Sequence, residues 1–131
     1  MKIRTVVTVI GLLMFNVAFG QSQEKYSEFA KEALKLYESK EYQKSAEKYK
    51  EAFDQVNGIA RPKDRYKAAC SYALSGDVEN SFYHLFRLAE NPKIKYNNYE
   101  HITKDTDLGS LHKDKRWNKL IAIVKSNKEE A

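Results

Sequence analysis

Apolar side chains recur every three to four residues along most of the chain beyond position 20, which is the spacing of one face of an α-helix. The pattern predicts a first helix over residues 24–39 and a second over residues 42–56. Because only a two-residue link separates them, we expect these helices to pack antiparallel. The dipeptide Asn57-Gly58 favours left-handed backbone and is predicted to end the second helix.

A second pair of helices is predicted to follow. Pro62 suits the first turn of a third helix, and Gly76 is expected to stop it. Asp77 is expected to cap a fourth helix by accepting a backbone N–H, and the Asn91-Pro92 pair ends that helix. The buried face of the fourth helix is predicted to consist of Val78, Ser81, Phe82, Leu85, Leu88 and Ala89.

The two pairs of helices are related by an offset of 36 residues. Under this alignment small residues recur on facing helices, Ala33 and Ser45 in the first pair and Ala69 and Ser81 in the second. Small side chains allow two helix backbones to approach closely, while larger aligned residues fill the space between the pairs. The arrangement is typical of a helical-hairpin solenoid, with repeats over about 24–57 and 61–91.

Both pairs also carry the same order of small and aromatic residues around the turn between their helices. The residues concerned are Ala33, Tyr42, Tyr49 and Ala52 in the first pair and Ala69, Tyr72, Gly76, Asp77 and Ser81 in the second. In this pattern the chain resembles the tetratricopeptide repeat family, whose period is about 34 residues. Two positions depart from the family pattern. Lys40 stands where the turn glycine usually lies, and Arg65 replaces a bulky apolar residue.

A further motif follows the repeats, over about residues 96–126. Its members are Asp105, Asp107, Leu108, Leu111, Asp114, Trp117 and Leu120. The string resembles the segment that closes tetratricopeptide arrays in exported proteins of the Bacteroidota. We expect each of its three aspartates to begin a short helix by accepting a backbone N–H. The last helix should cover the exposed end of the solenoid with one apolar stripe, formed by Trp117, Leu120, Ile121 and Val124.

The composition agrees with one helical domain. Five Gly and two Pro among 131 residues are too few for a many-turned β-sandwich or a Pro/Gly-rich disordered chain. Lone Cys70 excludes a disulfide within the chain, although an exposed thiol could link two copies. The predicted fold class is all-α, a short tetratricopeptide-like helical-hairpin solenoid of two repeats with a C-terminal capping helix.

Residues 1–20 have the composition of a secretion signal peptide. Lys2 and Arg4 form a basic start, a stretch of 14 mostly apolar residues follows, and cleavage is expected between Gly20 and Gln21. The apolar stretch is shorter than the roughly 20 residues that span a bilayer, and a retained membrane anchor is the alternative interpretation. We therefore expect residues 21–131 to form a single exported domain, periplasmic or extracellular, without stable membrane insertion after cleavage.

The charge of the chain is modest and uneven. Loss of Lys2 and Arg4 lowers the net charge from +5 to +3, a value that mainly aids solubility. The densest run of basic residues consists of Arg61, Lys63, Arg65 and Lys67. We expect it to be the solvated start of a helix; the alternative is a surface that binds an anion or an acidic partner. Because export removes the chain from most nucleic acid, we expect no nucleic-acid partner.

Residue types that carry chemistry are few, and we expect no catalytic residue, metal or cofactor. The cluster richest in metal-ligand types matches no compact zinc or calcium spacing; it comprises His101, Asp105, Asp107 and His112. Cys70 lies on the apolar side of the third helix, where a small core or groove-filling residue is the expected role. His84 falls off the buried stripe of the fourth helix and is predicted to lie on the surface.

The family resemblance implies a concave groove lined by the first helix of each pair. Carried over by the alignment, the candidate peptide-binding residues are Leu34, Tyr37, Glu38, Lys63, Tyr66 and Cys70. Tyr37 and Tyr66 are the candidate anchors, since tyrosines bury a large area at small entropic cost. The alternative is that these residues pack against the closing segment and leave no groove.

Together these features predict an exported, non-enzymatic helical-repeat module that binds another protein or a peptide. The first alternative is an accessory domain acting beside an envelope hydrolase or peptidase, because the closing segment resembles repeats that trail catalytic domains in the same bacterial group. A small helical enzyme or metal-binding protein is the second alternative.

Overall fold

The computed structural model describes residues 2–131, with side chains described for residues 17–131. This part of the chain is all-helical and contains no β-strand. The helices are α1 (Lys2–Glu38), α2 (Tyr42–Asp54), α3 (Pro62–Leu74), α4 (Val78–Glu90), α5 (Tyr99–Lys104), a 3₁₀ helix (Thr106–Leu111) and α6 (Lys115–Glu130). The predicted all-α fold, two helical hairpins in series followed by a C-terminal helix, is confirmed.

The two hairpin turns have the same backbone geometry although their sequences differ. Gly76 has a φ of 87°, and Lys40, at the aligned position, has a φ of 61°. In each turn the next residue donates its backbone N–H to a carbonyl five residues back, from Glu41 to Leu36 and from Asp77 to Tyr72, both at 2.9 Å. Lysine therefore adopts the left-handed conformation that glycine adopts more easily, at some cost in conformational strain.

Small residues bring the two helices of each hairpin together, as predicted. The Ser45 hydroxyl donates to the Ala33 carbonyl at 2.7 Å, and the Ser81 hydroxyl donates to the Ala69 carbonyl at 2.8 Å. All four residues are fully buried. The same bond thus recurs 36 residues later, at the aligned positions. Ser45 also bonds the Ser71 hydroxyl at 3.0 Å, which joins the first hairpin to the second.

The beginning of α1 differs from the prediction of a helix starting near residue 24. The helix runs from Lys2 through the predicted cleavage position between Gly20 and Gln21 without a break, because no proline interrupts it there. Met1 and the side chains of residues 2–16, which make up most of the predicted signal peptide, lie outside what the structure describes. Among the described helices, none is both long and apolar enough to cross a membrane.

The closing segment packs back onto the second hairpin. The 3₁₀ helix lies on α3, while α6 packs on α4 and α5. Trp117 is 8% exposed and joins one buried cluster with Phe82 and Leu85 of α4; Leu120 and Val124 of α6 are fully buried in the same cluster. The predicted covering of the solenoid end by a Trp-bearing helix is therefore seen in the structure.

Two of the three predicted aspartate caps in the closing segment are present. Asp105 accepts the Asp107 N–H at 3.0 Å, and Asp114 accepts the Arg116 N–H at 2.9 Å. The prediction for Asp107 is wrong, because this residue lies inside the 3₁₀ helix. Its carboxylate instead accepts the Tyr37 hydroxyl.

Two predictions of surface position are also wrong. Arg65, expected in a solvated basic run, is 4% exposed, and His84, expected on the surface of α4, is 7% exposed. A ring nitrogen of His84 lies 2.9 Å from the Arg65 guanidinium, and the His84 ring stacks on Tyr72 at 5.5 Å. Arg65 is buried because α3 packs against α1, α2, α4 and the 3₁₀ helix, which cover it on nearly every side. His84 of α4 is buried because Phe53 of α2 and Tyr72 of α3 lie against its ring.

Candidate functional site

The six candidate groove residues lie on two neighbouring helices, three on α1 and three on α3, but their exposure differs widely. Glu38 and Lys63 are exposed, and Leu34 and Tyr37 are half-buried. Tyr66 is 8% exposed and Cys70 is fully buried, so these two present little or no surface to a ligand. The candidate set is therefore a surface strip with a buried base rather than six accessible contacts.

Two adjacent hollows run along this strip and share Lys63. The larger, about 520 Å³, is bounded by Tyr37, Lys63 and Tyr66 together with residues of the closing segment. The smaller, about 250 Å³, is bounded by Leu34, Lys63 and other residues of α1 and α3. Glu38 borders neither hollow. We call this continuous surface the α1/α3 groove.

The closing segment forms one wall of the larger hollow and engages both candidate tyrosine anchors. The Tyr66 hydroxyl donates to Asp105 at 2.8 Å, and the Tyr37 hydroxyl donates to Asp107. The Tyr66 ring also stacks on Tyr96, with ring centres 5.5 Å apart. The closing segment therefore packs against the end of the groove that contains Tyr37 and Tyr66, as the alternative interpretation expected. The remainder of the groove is open.

The hydroxyls of these tyrosines stay protonated and act as donors. Burial, together with the bonded carboxylate of Asp107, raises the pKa of Tyr37, and burial with Asp105 does the same for Tyr66. Burial also raises the pKa of Tyr96 to about 12. A tyrosine already committed to a carboxylate offers a ligand its ring rather than its hydroxyl.

A cluster of metal-ligand types lies beneath the groove. The Cys70 sulfur and carboxylate oxygens of Asp105 and Asp107 lie within 4.8 Å of one another. Burial and the two carboxylates raise the pKa of Cys70, so its thiol stays protonated and points to Asp105 Oδ2 at 3.8 Å. The two carboxylates thus hold the tyrosine hydroxyls and the Cys70 thiol in one hydrogen-bonded cluster.

The two histidines near this cluster are placed differently. His101 Nε2 lies 3.5 Å from Asp105 Oδ2 and its ring is 5.2 Å from that of Tyr66, so it borders the larger hollow. His112 instead packs on Trp117, with ring centres 4.4 Å apart. The four residues grouped in the sequence as candidate ligands therefore do not converge on one point.

The open part of the groove carries positive charge over an apolar floor. Lys31 and Lys63 are exposed along it, and neither forms an ion pair among the described residues. Arg61 is paired with Asp64 at 2.7 Å. Ala30 and Leu34 of α1 supply the apolar floor. The basic run is thus divided, with Arg65 turned into the protein and the other members near the groove.

Sequence reasoning missed the contribution of the closing segment to the groove. Tyr96, His101, Asp105 and Asp107 border the larger hollow, yet they follow Tyr66 by 30 to 41 positions and suggested only caps or surface side chains. The available signal was the Asp-x-Asp spacing, because two carboxylates so close together in a buried segment need donors from elsewhere in the fold. Two tyrosines of α1 and α3 supply those donors.

Comparisons with known protein families, with characterised proteins and with solved structures find no match to this chain. The family resemblance drawn from the repeat residues and from the closing segment therefore stays a prediction.

Proposed function

We propose that the protein is a non-enzymatic helical-repeat module that binds an extended segment of another protein, or a peptide, in the α1/α3 groove. The observation that carries this proposal is the groove itself, two adjacent hollows that share Lys63 and extend from α1 to the closing segment. Its shape suits a narrow, elongated ligand better than a compact small molecule, because neither hollow is enclosed.

The chemistry of the groove favours a peptide with acidic and apolar residues side by side. Exposed Lys31 and Lys63 attract a carboxylate, and Leu34 with Ala30 offers an apolar contact below them. The ring of Tyr37 adds a flat surface whose face is partly covered by the Lys67 ammonium group at 4.2 Å. Rim charges of this kind act mainly on association rate and on salt dependence.

A non-enzymatic role is supported by the state of the groups that could do chemistry. The Cys70 thiol is fully buried and its pKa is raised by burial and by Asp105 and Asp107. The same carboxylates accept tyrosine hydroxyls. A catalytic nucleophile needs a lowered pKa and access to substrate, and Cys70 has neither. We further propose that the protein is exported, on the composition of residues 1–20.

Selection from a library of random peptides displayed on phage, with the purified protein immobilised, tests the proposal. We expect enrichment of sequences with Asp or Glu beside an apolar residue, binding more weakly as salt concentration rises. Lys63→Glu should lower the affinity for a selected peptide by about tenfold, as measured by fluorescence anisotropy.

The matched control is Lys125→Glu, the same charge reversal on an exposed position of α6. It should bind the selected peptide like the wild type. Equal affinity of the Lys63→Glu variant and the wild type would refute the proposed use of the groove, as would selection of peptides without acidic residues.

A further inference from the structure

A second concave site lies on the other side of α3, between α2 and α4. Its volume is about 320 Å³, which is near the lower limit for a small-molecule pocket. Arg65 and Tyr72 of α3 are buried at its base, and Phe53 of α2 and His84 of α4 form its sides. We call this site the Arg65 pocket. It shares no lining residue with the α1/α3 groove.

The base of the pocket holds a buried positive charge without a negative partner. Arg65 is 4% exposed, and no ion pair of the described residues includes it. Among the residues whose side chains the structure describes, its guanidinium contacts neutral groups: the Gly58 carbonyl, His84 Nδ1 at 2.9 Å and the Phe53 ring at 5.3 Å. A buried charge is costly unless an opposite charge offsets it, so this site favours an anion.

A second arginine increases the positive charge of the same pocket. Arg87 of α4 borders it and holds its guanidinium 5.6 Å from the Tyr83 ring. The one carboxylate in the pocket lining, Asp54, is paired with Lys50 at 2.9 Å at the exposed rim. Burial and Arg87 lower the pKa of Arg65, and no carboxylate raises it.

His84 adds a hydrogen-bond donor beside the two arginines. The Arg65 guanidinium always carries its protons, so His84 Nδ1 accepts from it, and in the neutral ring the proton is then on Nε2. Burial, Arg65 and Arg87 lower the pKa of His84 to about 4, which keeps the ring neutral near pH 7. Nε2 therefore carries a proton to donate, and it makes no hydrogen bond within the described part of the chain.

Aromatic rings line the base and the sides of the pocket. Phe53 meets the His84 ring edge to face at 5.6 Å, and Tyr72 stacks on the same ring at 5.5 Å. A hydrated inorganic anion gains little from such walls, whereas an apolar body attached to a carboxylate gains buried area. Arginine also matches the planar geometry of a carboxylate with paired donors.

We propose that the Arg65 pocket binds a small organic carboxylate, with the carboxylate on Arg65 and Arg87 and the apolar body against Phe53 and Tyr72. The ligand class is a monocarboxylic acid with a flat or short apolar part, a size that about 320 Å³ accommodates. The Arg65 pocket shares no lining residue with the α1/α3 groove, so this proposal does not rest on peptide binding there.

Nuclear magnetic resonance on the full chain tests the proposal, with benzoate as the probe and acetate and inorganic phosphate as comparisons. Benzoate should shift the ring signals of His84 in a saturable way and bind more tightly than acetate, because acetate lacks the aromatic body. The bound carboxylate also offsets the charge of Arg65, so the pKa of His84 should rise by about 1.

Two variants separate the pocket from general charge effects. Arg87→Gln, at an exposed position, should keep the fold and lower the affinity for benzoate by about tenfold. Lys125→Gln on α6 should leave the affinity for benzoate unchanged. Arg65→Met should abolish binding, and if that protein does not fold, Arg87→Gln decides alone. The proposal is overturned by no saturable shift at His84, by phosphate binding more tightly than benzoate, or by unchanged affinity of Arg87→Gln.

Discussion

The buried pair of Arg65 and His84 makes the stability of the protein depend on pH in a defined direction. His84 is 7% exposed, and burial followed by the charges of Arg65 and Arg87 lowers its pKa to about 4 from an ordinary value of 6.5. In the unfolded chain the imidazole is free to bind a proton near pH 6.5. Acid therefore favours the unfolded state, because protonated His84 would face a guanidinium at 2.9 Å.

The magnitude follows from the difference between the two pKa values. The stability linked to His84 is fully present above pH 6.5 and falls as the pH decreases towards 4. A difference of about 2.5 in pKa corresponds to about 3 kcal/mol of unfolding free energy lost between pH 7.5 and pH 4. Well below pH 4 both states bind the proton, and this contribution then changes no further.

Urea unfolding followed by circular dichroism, at a series of pH values, measures the effect. The matched control is His84→Gln, which keeps a polar side chain near Arg65 and has no titrating group. Carboxylates that titrate in the same range contribute equally to both proteins, so the comparison isolates His84. The wild type should lose about 3 kcal/mol more than the variant between pH 7.5 and pH 4. Parallel pH profiles for the two proteins would refute the reasoning.

Four further variants test the remaining features by urea unfolding. Trp117→Ala should cost about 3–5 kcal/mol, since the indole is 8% exposed in the core between α4 and α6; an unchanged midpoint would contradict its capping role. Tyr66→Phe should lower the free energy of unfolding by about 2 kcal/mol, because it removes the hydroxyl donor to Asp105. An unchanged free energy of unfolding would contradict a stabilising role for that hydrogen bond. Gly76→Ala should cost about 1 kcal/mol at a φ of 87°, whereas Lys40→Gly at a φ of 61° should stabilise slightly; the same sign for both would contradict the turn analysis.

Much of the helical architecture could be predicted because its signals are local. The turn at Gly76 and the cap at Asp77, which accepts the Asn80 N–H at 3.1 Å, depend on residues close in sequence. The offset of 36 residues between the repeats could also be predicted from the sequence, because equivalent small residues, Ser45 and Ser81, occupy equivalent positions and make equivalent contacts. Periodicity also identified the buried stripe of α6, because that helix packs on one side only.

The burial of α3 could not be predicted in the same way. Amphipathic patterns identify one buried face, but eight of the thirteen residues of α3 are buried, among them Arg65 and Tyr66. The apolar periodicity of a helix identifies the face that packs against one neighbouring element, and Arg65 lies off that face. Because α3 has several neighbouring elements, residues on its other faces are buried as well. His84 was misplaced for the related reason that Phe53, Tyr72 and Arg65 reach it from outside its own helix.

The amino-acid order by itself determined the helices, their turns, the pairing into hairpins and the presence of a closing segment, because each of these depends on neighbours along the chain. Only the tertiary structure decided which polar side chains are buried and which surfaces stay open. The closing segment brings Asp105 and Asp107 to tyrosines on α3 and α1, and α2 and α4 enclose the guanidinium of Arg65. Such contacts join residues far apart in sequence, where no local pattern records the partner.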